Sequence, residues 1–312
     1  VGDGNITTKK DHILSNIFYF YYFLAYGERP QYQVKLRAPG GKISTTTIPA
    51  VPEHDIPPAI KTNVDPLLRL EITGSKVAIL RITSFDRSAV GKAGLDFQDF
   101  LRTSFARIRR EKVNKLIIDL RNNGGGTDLY GALLYSYLAE RPFAYYSKLT
   151  AATNQLPYNE FSRTTSSYND LKPGMLHKTG DRFRLVNEAH RNLLVQQPTD
   201  YPYQGKVIFL INGLTFSTAT EFCAVSRLYK RGIFVGEETG GALAGNTSGV
   251  EQEITLPNSR ITCSFGLIQY QMAGIDANFD RGVIPNYIVL PEIQDLLASR
   301  DRALNFAFKM FK

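Results

Sequence analysis

The chain has 312 residues, of which 43% are hydrophobic and 21% charged, with 25 glycines and 15 prolines. That composition excludes wholesale disorder and supplies a core that needs no disulfide or metal staple. The formal charge of +8 is spread along the chain, and its densest cluster, Arg107, Arg109, Arg110, Lys112 and Lys115, reads as one solvated helix end, so no nucleic-acid partner is expected.

The polar start gives way to "NIFYFYYFLAYG", whose apolar part covers about 10 residues against the roughly 20 that a bilayer span needs, so no transmembrane helix is expected. Residue 1 is Val with no basic, apolar leader before it, and any export signal is expected to have been removed or to lie upstream. The aromatic stretch reads as a helix or strand over 13–26. Alternating runs flanking Pro39-Gly40-Gly41 then predict a hairpin, and "VPEHDIPPAI" a linker. A boundary near residue 60 therefore divides an N-terminal α+β extension, 1–60, from the remaining 61–312.

From residue 76 strands and helices alternate. The buried runs 76–82, 115–120, 206–211 and 232–236 predict strands; apolar residues at helical spacing predict helices over 94–111, 129–140 and 217–230. This order implies crossover connections and a largely parallel sheet covered by helices, an α/β core. Residues 141–205 break the rhythm with Tyr145, Tyr146, Tyr158, Tyr168, Tyr201 and Tyr203 among polar residues, as a cap over a site or an insertion with small elements of its own. The tail reads as three strands between 251 and 290 and a final helix over 293–311. Cys223 and Cys263 fit no metal-ligand spacing, and their apolar surroundings favour two buried free thiols over one disulfide.

Two segments can carry chemistry. In "LIIDLRNNGGGTDLYGALL" a buried strand ends in three glycines, Gly124 to Gly126, before a helix. Such a turn can converge backbone N–H groups on a phosphate or an acyl-transfer oxyanion, or be a tight turn with no ligand. In "FLINGLTFSTATEF" a helix begins near Ser217. Ser217 or Thr218 would cap it, and Thr218-x-x-Glu221 fits a capping box; alternatively Ser217 is a nucleophile at a helix N-terminus.

Together with "VAILRITSF", "VGEETGG" and "RGVIPNYIV", in this order, the two segments resemble the tail-specific or C-terminal processing serine peptidases, the family that includes the tricorn core. The resemblance covers about residues 61–312. It implies a crotonase and Clp-protease-like superhelix of strands and helices, usually joined to a PDZ-like domain whose peptide-binding loop is not found in residues 1–50. It also implies an acyl-enzyme on Ser217, an oxyanion hole from the N–H of Thr218 and of Gly125 or Gly126, a polypeptide or C-terminal peptide as substrate, no metal or organic cofactor, and export to the periplasm or cell surface.

One departure bears on activity. The family's general-base lysine lies twenty-five positions after the serine, where this chain has Ala242. Four positions further on, Asn246 stands where a glutamine is usual, as an orienting group. Without a base the serine hydroxyl is a weak nucleophile. The replacement candidates in the sequence are His54, His177 and Glu238, whereas Glu237 reads as structural. The alternative is a catalytically impaired protein that keeps the peptidase fold and binds peptides without turnover. An acyl-CoA enzyme on the related crotonase core is disfavoured, because no nucleotide-binding signal accompanies the glycines.

Overall fold

The computed structural model describes residues 6–38, 40–55, 66–155, 158–162, 174–276 and 278–311. The chain opens with helix α1 (Thr7–Tyr26), which kinks at Ile17, and continues into an antiparallel hairpin of β1 (Gln31–Arg37) and β2 (Ile43–Pro49). Strands β3 (Leu68–Ile72) and β4 (Val77–Ile82) lead to helices α2 (Arg87–Lys92) and α3 (Phe97–Arg110), then to β5 (Lys115–Asp119) and α4 (Asp128–Ser136). The 141–205 region contributes β6 (Tyr146–Ala151), β7 (Leu176–Thr179) and β8 (Arg182–Leu185). It is followed by β9 (Lys206–Ile211), α5 (Thr218–Leu228) and β10 (Ile233–Gly236). The tail holds β11 (Gly245–Thr255), β12 (Thr262–Met272), β13 (Tyr287–Ile288), α6 (Ile293–Leu297) and α7 (Arg302–Met310).

The central sheet has the order β13-β10-β9-β5-β4-β3 and is parallel except for β3, which pairs antiparallel with β4 at the edge. Its inner strands are continuous apolar runs because both faces are covered. On one face Leu80, Ile118, Phe209 and Phe234 pack against α3, α4 and α5 in the larger core. On the other, Val77, Ile117, Ile208, Leu210 and Val235 pack against Ala303 and Ala307 of α7 and against Phe311, which follows it. The expected α/β core with crossover helices is therefore present.

The described part of residues 141–205 holds small elements of its own. Strand β6 pairs with β12 in a second, antiparallel sheet of order β11-β12-β6-β8-β7, so the first two predicted tail strands join this insertion, whereas the third, β13, joins the edge of the central sheet. Tyr168 lies outside the described residues, as does the predicted boundary near residue 60. The predicted final helix is two helices, because Ser299 adopts a left-handed backbone (φ 50°) and Asp301 caps α7 anew through Leu304 N–H. Both cysteines are free, but only Cys223 is buried; Cys263 is exposed on β12, contrary to the expectation of two buried thiols, because the outer part of β12 lies open to solvent.

The beginning of α1 is fastened to the core. Ile6 is fully buried, Thr8 Oγ1 donates to the Glu238 carbonyl (2.9 Å), and His12 Nε2 meets Glu237 Oε2 (2.7 Å). Beyond it, Phe18, Tyr19, Phe23, Leu24 and Tyr26 are exposed. Among the described residues, no helix is long and apolar enough to cross a membrane.

Candidate active site

Strands β5 and β9 are neighbours and end side by side, so the loops that follow them meet. Two adjacent asparagines join these loops. Asn122, at φ 64°, donates its backbone N–H to Asn212 Oδ1 (3.0 Å), and Asn212 Nδ2 returns a bond to Asn122 Oδ1 (2.8 Å). The fully buried Asn123 donates from Nδ2 to the Ile82 carbonyl (2.9 Å), accepts the Gly125 N–H on Oδ1 (2.9 Å), and accepts the Phe216 N–H on its own carbonyl (2.9 Å). One side chain and its peptide group thus register the glycine turn against both β4 and the serine loop.

Ser217 sits at the start of α5 with φ 51° and ψ −129°, a backbone conformation costly for a side-chain-bearing residue. Its hydroxyl makes no capping bond. Nor does the predicted Thr218-x-x-Glu221 box form: Thr218 Oγ1 donates to the Gly126 carbonyl (2.8 Å), and Glu221 turns into the protein interior. The glycine turn presses on this elbow. A Cβ on Gly125 (φ 98°) would lie 2.6 Å from Ser217 Cβ and 3.0 Å from Thr218 N, and one on Gly126 (φ 138°) would lie 2.2 Å from Asp86 N. No other residue type fits at either position. Since Asn123 holds the Gly125 N–H, that group is already engaged. Among the described residues the N–H groups of Gly126 and Thr218 have no acceptor.

Ser217 opens on a cavity of about 270 Å³ that is also lined by Gly126, Asp128, Tyr146, Thr218, Glu221 and Ser248. Beneath it runs a chain of hydrogen bonds. His190 Nε2 lies 3.0 Å from Asp128 Oδ2, and Tyr146 Oη lies 3.1 Å from the same oxygen and 2.7 Å from Glu221 Oε2. Asn246 Nδ2 donates to Glu221 Oε1 (2.6 Å), and Ser248 Oγ donates to Asn246 Oδ1 (2.5 Å). Tyr146 has one proton for two carboxylates, so its bond to Glu221 and its contact with Asp128 compete. Burial, followed by the field of Asp128, pushes the Glu221 carboxyl up to about 7. Burial likewise raises the Tyr145 and Tyr146 hydroxyls well above the usual tyrosine range.

The sequence-derived candidates separate in space. Ser217, Thr218 and Gly126 line one cavity, and Asn246 lies behind it, orienting Glu221. Glu238 does not suit the role of base: its carboxylate takes two bonds from Arg281 (2.9 Å each) and one from Gly282 N–H (2.7 Å). Although burial raises its pKa, these partners outweigh burial and hold it below the usual range. His54 is 82% exposed beside its neighbour Asp55, and His177 is exposed on the edge strand β7; neither lines the cavity. Ala242 is buried, and the preceding Gly241 is so close that a Cβ there would lie 3.1 Å from Ser217 N.

Asp128, Tyr146, Glu221, His190 and Ser248 do not stand out as a cluster in the sequence. In the sequence Glu221 reads locally as a capping partner, and Tyr146 stands in a tyrosine-rich run. The signal that could have drawn attention to them was Asp128, an acidic residue two positions after the last glycine of the turn.

A sequence model of peptidase family S41 matches residues 76–288. Among solved structures, mature CPAF is similar with 17% identity and a TM-score of 0.57, over 91% of this chain and 67% of that one. A candidate peptidase from Parabacteroides merdae is similar with 20% identity and a TM-score of 0.52, over 80% of this chain and 66% of that one. At these identities the likeness is one of fold, and the chain spans about two thirds of the length of each structure. No curated protein sequence matches.

Proposed function

The chain belongs to peptidase family S41, and from that premise we propose that it is a serine peptidase that cleaves polypeptides through an acyl-enzyme on Ser217. The observation that carries this reading is the serine elbow: a half-buried Ser217 in a strained backbone at a helix start, uncapped and facing a cavity, beside the unengaged N–H groups of Gly126 and Thr218. A serine used only as a cap would donate or accept at the helix terminus. Here the hydroxyl is left for a substrate carbonyl carbon, and the two N–H groups are left for the oxygen on which negative charge develops. Gly125 contributes by its lack of a side chain, which lets the turn approach Ser217, and Gly126 supplies the donor.

The substrate is an extended polypeptide, including C-terminal segments. No metal or organic cofactor enters this mechanism. The periplasm or cell surface is the proposed location, from the resemblance alone.

A second reading is favoured by one observation, the buried Ala242 at the position of the expected lysine: a peptidase fold that binds peptides without turnover. Incubating wild type and Ser217→Ala with an unfolded protein and a peptide library, and identifying products by mass spectrometry, separates the two. Cleavage by wild type alone supports the peptidase. Peptide binding by both with cleavage by neither supports the binder.

A further inference from the structure

We propose that Asp128, positioned by His190, is the general base for Ser217, in place of the lysine whose position Ala242 occupies. This rests on the peptidase reading above. The carboxylates that line the Ser217 cavity are Asp128, Glu221 and Glu251. Glu221 has Oε1 held by Asn246 and Oε2 by Tyr146, and it is only 3% exposed. Glu251 stands exposed at the rim. Asp128 differs from both: its Oδ2 faces His190 and Tyr146, while Oδ1 has no hydrogen-bond partner among the described residues. An oriented carboxylate that lines the cavity and has one oxygen left over is equipped to take a proton.

The orientation follows from the backbone. Asp128 is the first residue of α4, two positions after Gly126, and Gly126 is tied to the nucleophile loop by Thr218 Oγ1. His190 accepts the Asn192 N–H on Nδ1 (3.2 Å), so in its neutral form its own proton lies on Nε2, directed at Asp128 Oδ2. The imidazole therefore stands behind the carboxylate and presents it, and His190 is a positioning residue.

Lys9 brings an amine to the nucleophile loop, with its Nζ over the Phe216 ring. It is not among the residues that line the cavity.

The proton balance closes without another reactant. As Ser217 Oγ bonds to the scissile carbonyl carbon, its proton passes to Asp128 Oδ1, directly or through one water, and the carbonyl electrons move onto oxygen. On collapse the C–N bond breaks and the departing amine takes that proton, leaving an ester on Ser217. Water then attacks the ester and gives its proton to Asp128. Expulsion of Ser217 Oγ returns the proton to the serine, leaving the acid product.

The test measures the rate at which a fluorophosphonate acylates Ser217, and the rate of peptide cleavage, across pH in the full chain. The groups that face Asp128 from neighbouring elements, His190, Tyr146, Glu221, Glu251 and Tyr270, are present in every variant except where stated. Asp128→Asn is expected to lower both rates by about 100-fold or more while still binding peptide, and Asp128→Ser guards against an effect peculiar to the amide. His190→Ala is expected to lower the rates less, and His190→Gln, which keeps a donor facing Asp128, is expected to restore part of the rate. Folding is checked by thermal melting. Wild-type reaction with unchanged rates in folded Asp128→Asn overturns the assignment and leaves the peptidase reading intact, as does a loss carried by Lys9→Gln instead. A wild type that neither labels nor cleaves overturns both.

Discussion

Gly125 and Ser217 approach so closely that a single carbon added to the glycine would lie 2.6 Å from the serine Cβ. The two residues come from loops 92 positions apart in sequence, yet neither loop can shift alone, because Asn123 bonds to both. Gly125→Ala is therefore expected to disturb both stability and reactivity. The φ of 98° costs an alanine at least about 1–2 kcal/mol, and the clash displaces the serine elbow. Thermal melting together with Ser217 labelling measures both; a variant with unchanged melting and labelling contradicts the packing described.

Asn123 is the more general fastening. Asn123→Ala leaves the Gly125 N–H and the Ile82 carbonyl unpaired in the interior, at an expected cost of about 1–3 kcal/mol. Asn123→Asp retains an acceptor for Gly125 and loses the donor to Ile82, so it is expected to recover Ser217 reactivity better than alanine does. Denaturant unfolding gives the first quantity and labelling rate the second.

Glu221 makes stability depend on pH. Its folded value of about 7 lies above that of the unfolded chain, so the folded protein binds the proton more tightly. The contribution is fully present below about pH 4.5, declines by up to about 1.4 kcal/mol per pH unit as the pH rises towards 7, and is lost above it. Glu221→Gln is expected to flatten this part of the stability profile, and equal slopes in wild type and variant would show that Glu221 does not hold the proton.

The fastening of α1 has its own pH window. The hydrogen bond to Glu237 raises the His12 value, so that contribution is complete below about pH 6.5 and disappears as the pH rises through the raised value. For Glu237, burial alone would raise the pKa, but the bonds from His12 and Gly213 outweigh it, and the stabilisation fades only in acid as the pH falls through the lowered value. The two shifts describe one interaction. Trypsin cleavage near Lys9 and Lys10 is expected to accelerate above neutral pH in wild type and to be fast and insensitive to pH in His12→Gln.

The central strands were legible in the sequence because strands buried on both faces are written as uninterrupted apolar runs, as in "KVIFLI" and "KLIID". The serine loop and the glycine turn were legible for a related reason: their unusual backbones demand particular residues at particular places. The second sheet was not legible, since β6 meets β12 across more than a hundred residues and its period does not name a partner. For the same reason Glu221 looked like a capping residue: its partners Tyr146 and Asn246 arrive from β6 and β11, and only the tertiary fold brings them together. Glu238 looked available because its sequence neighbours do not reveal Arg281, 43 positions away.

Whether Ser217 is an activated nucleophile is read out by intact-protein mass spectrometry after treatment with a fluorophosphonate, with the adduct mapped by peptide sequencing. One adduct per chain is expected, on Ser217, formed by the native protein and absent from heat-denatured protein and from Ser217→Ala. An adduct on another residue, or none in native protein that still melts cooperatively, would contradict that role.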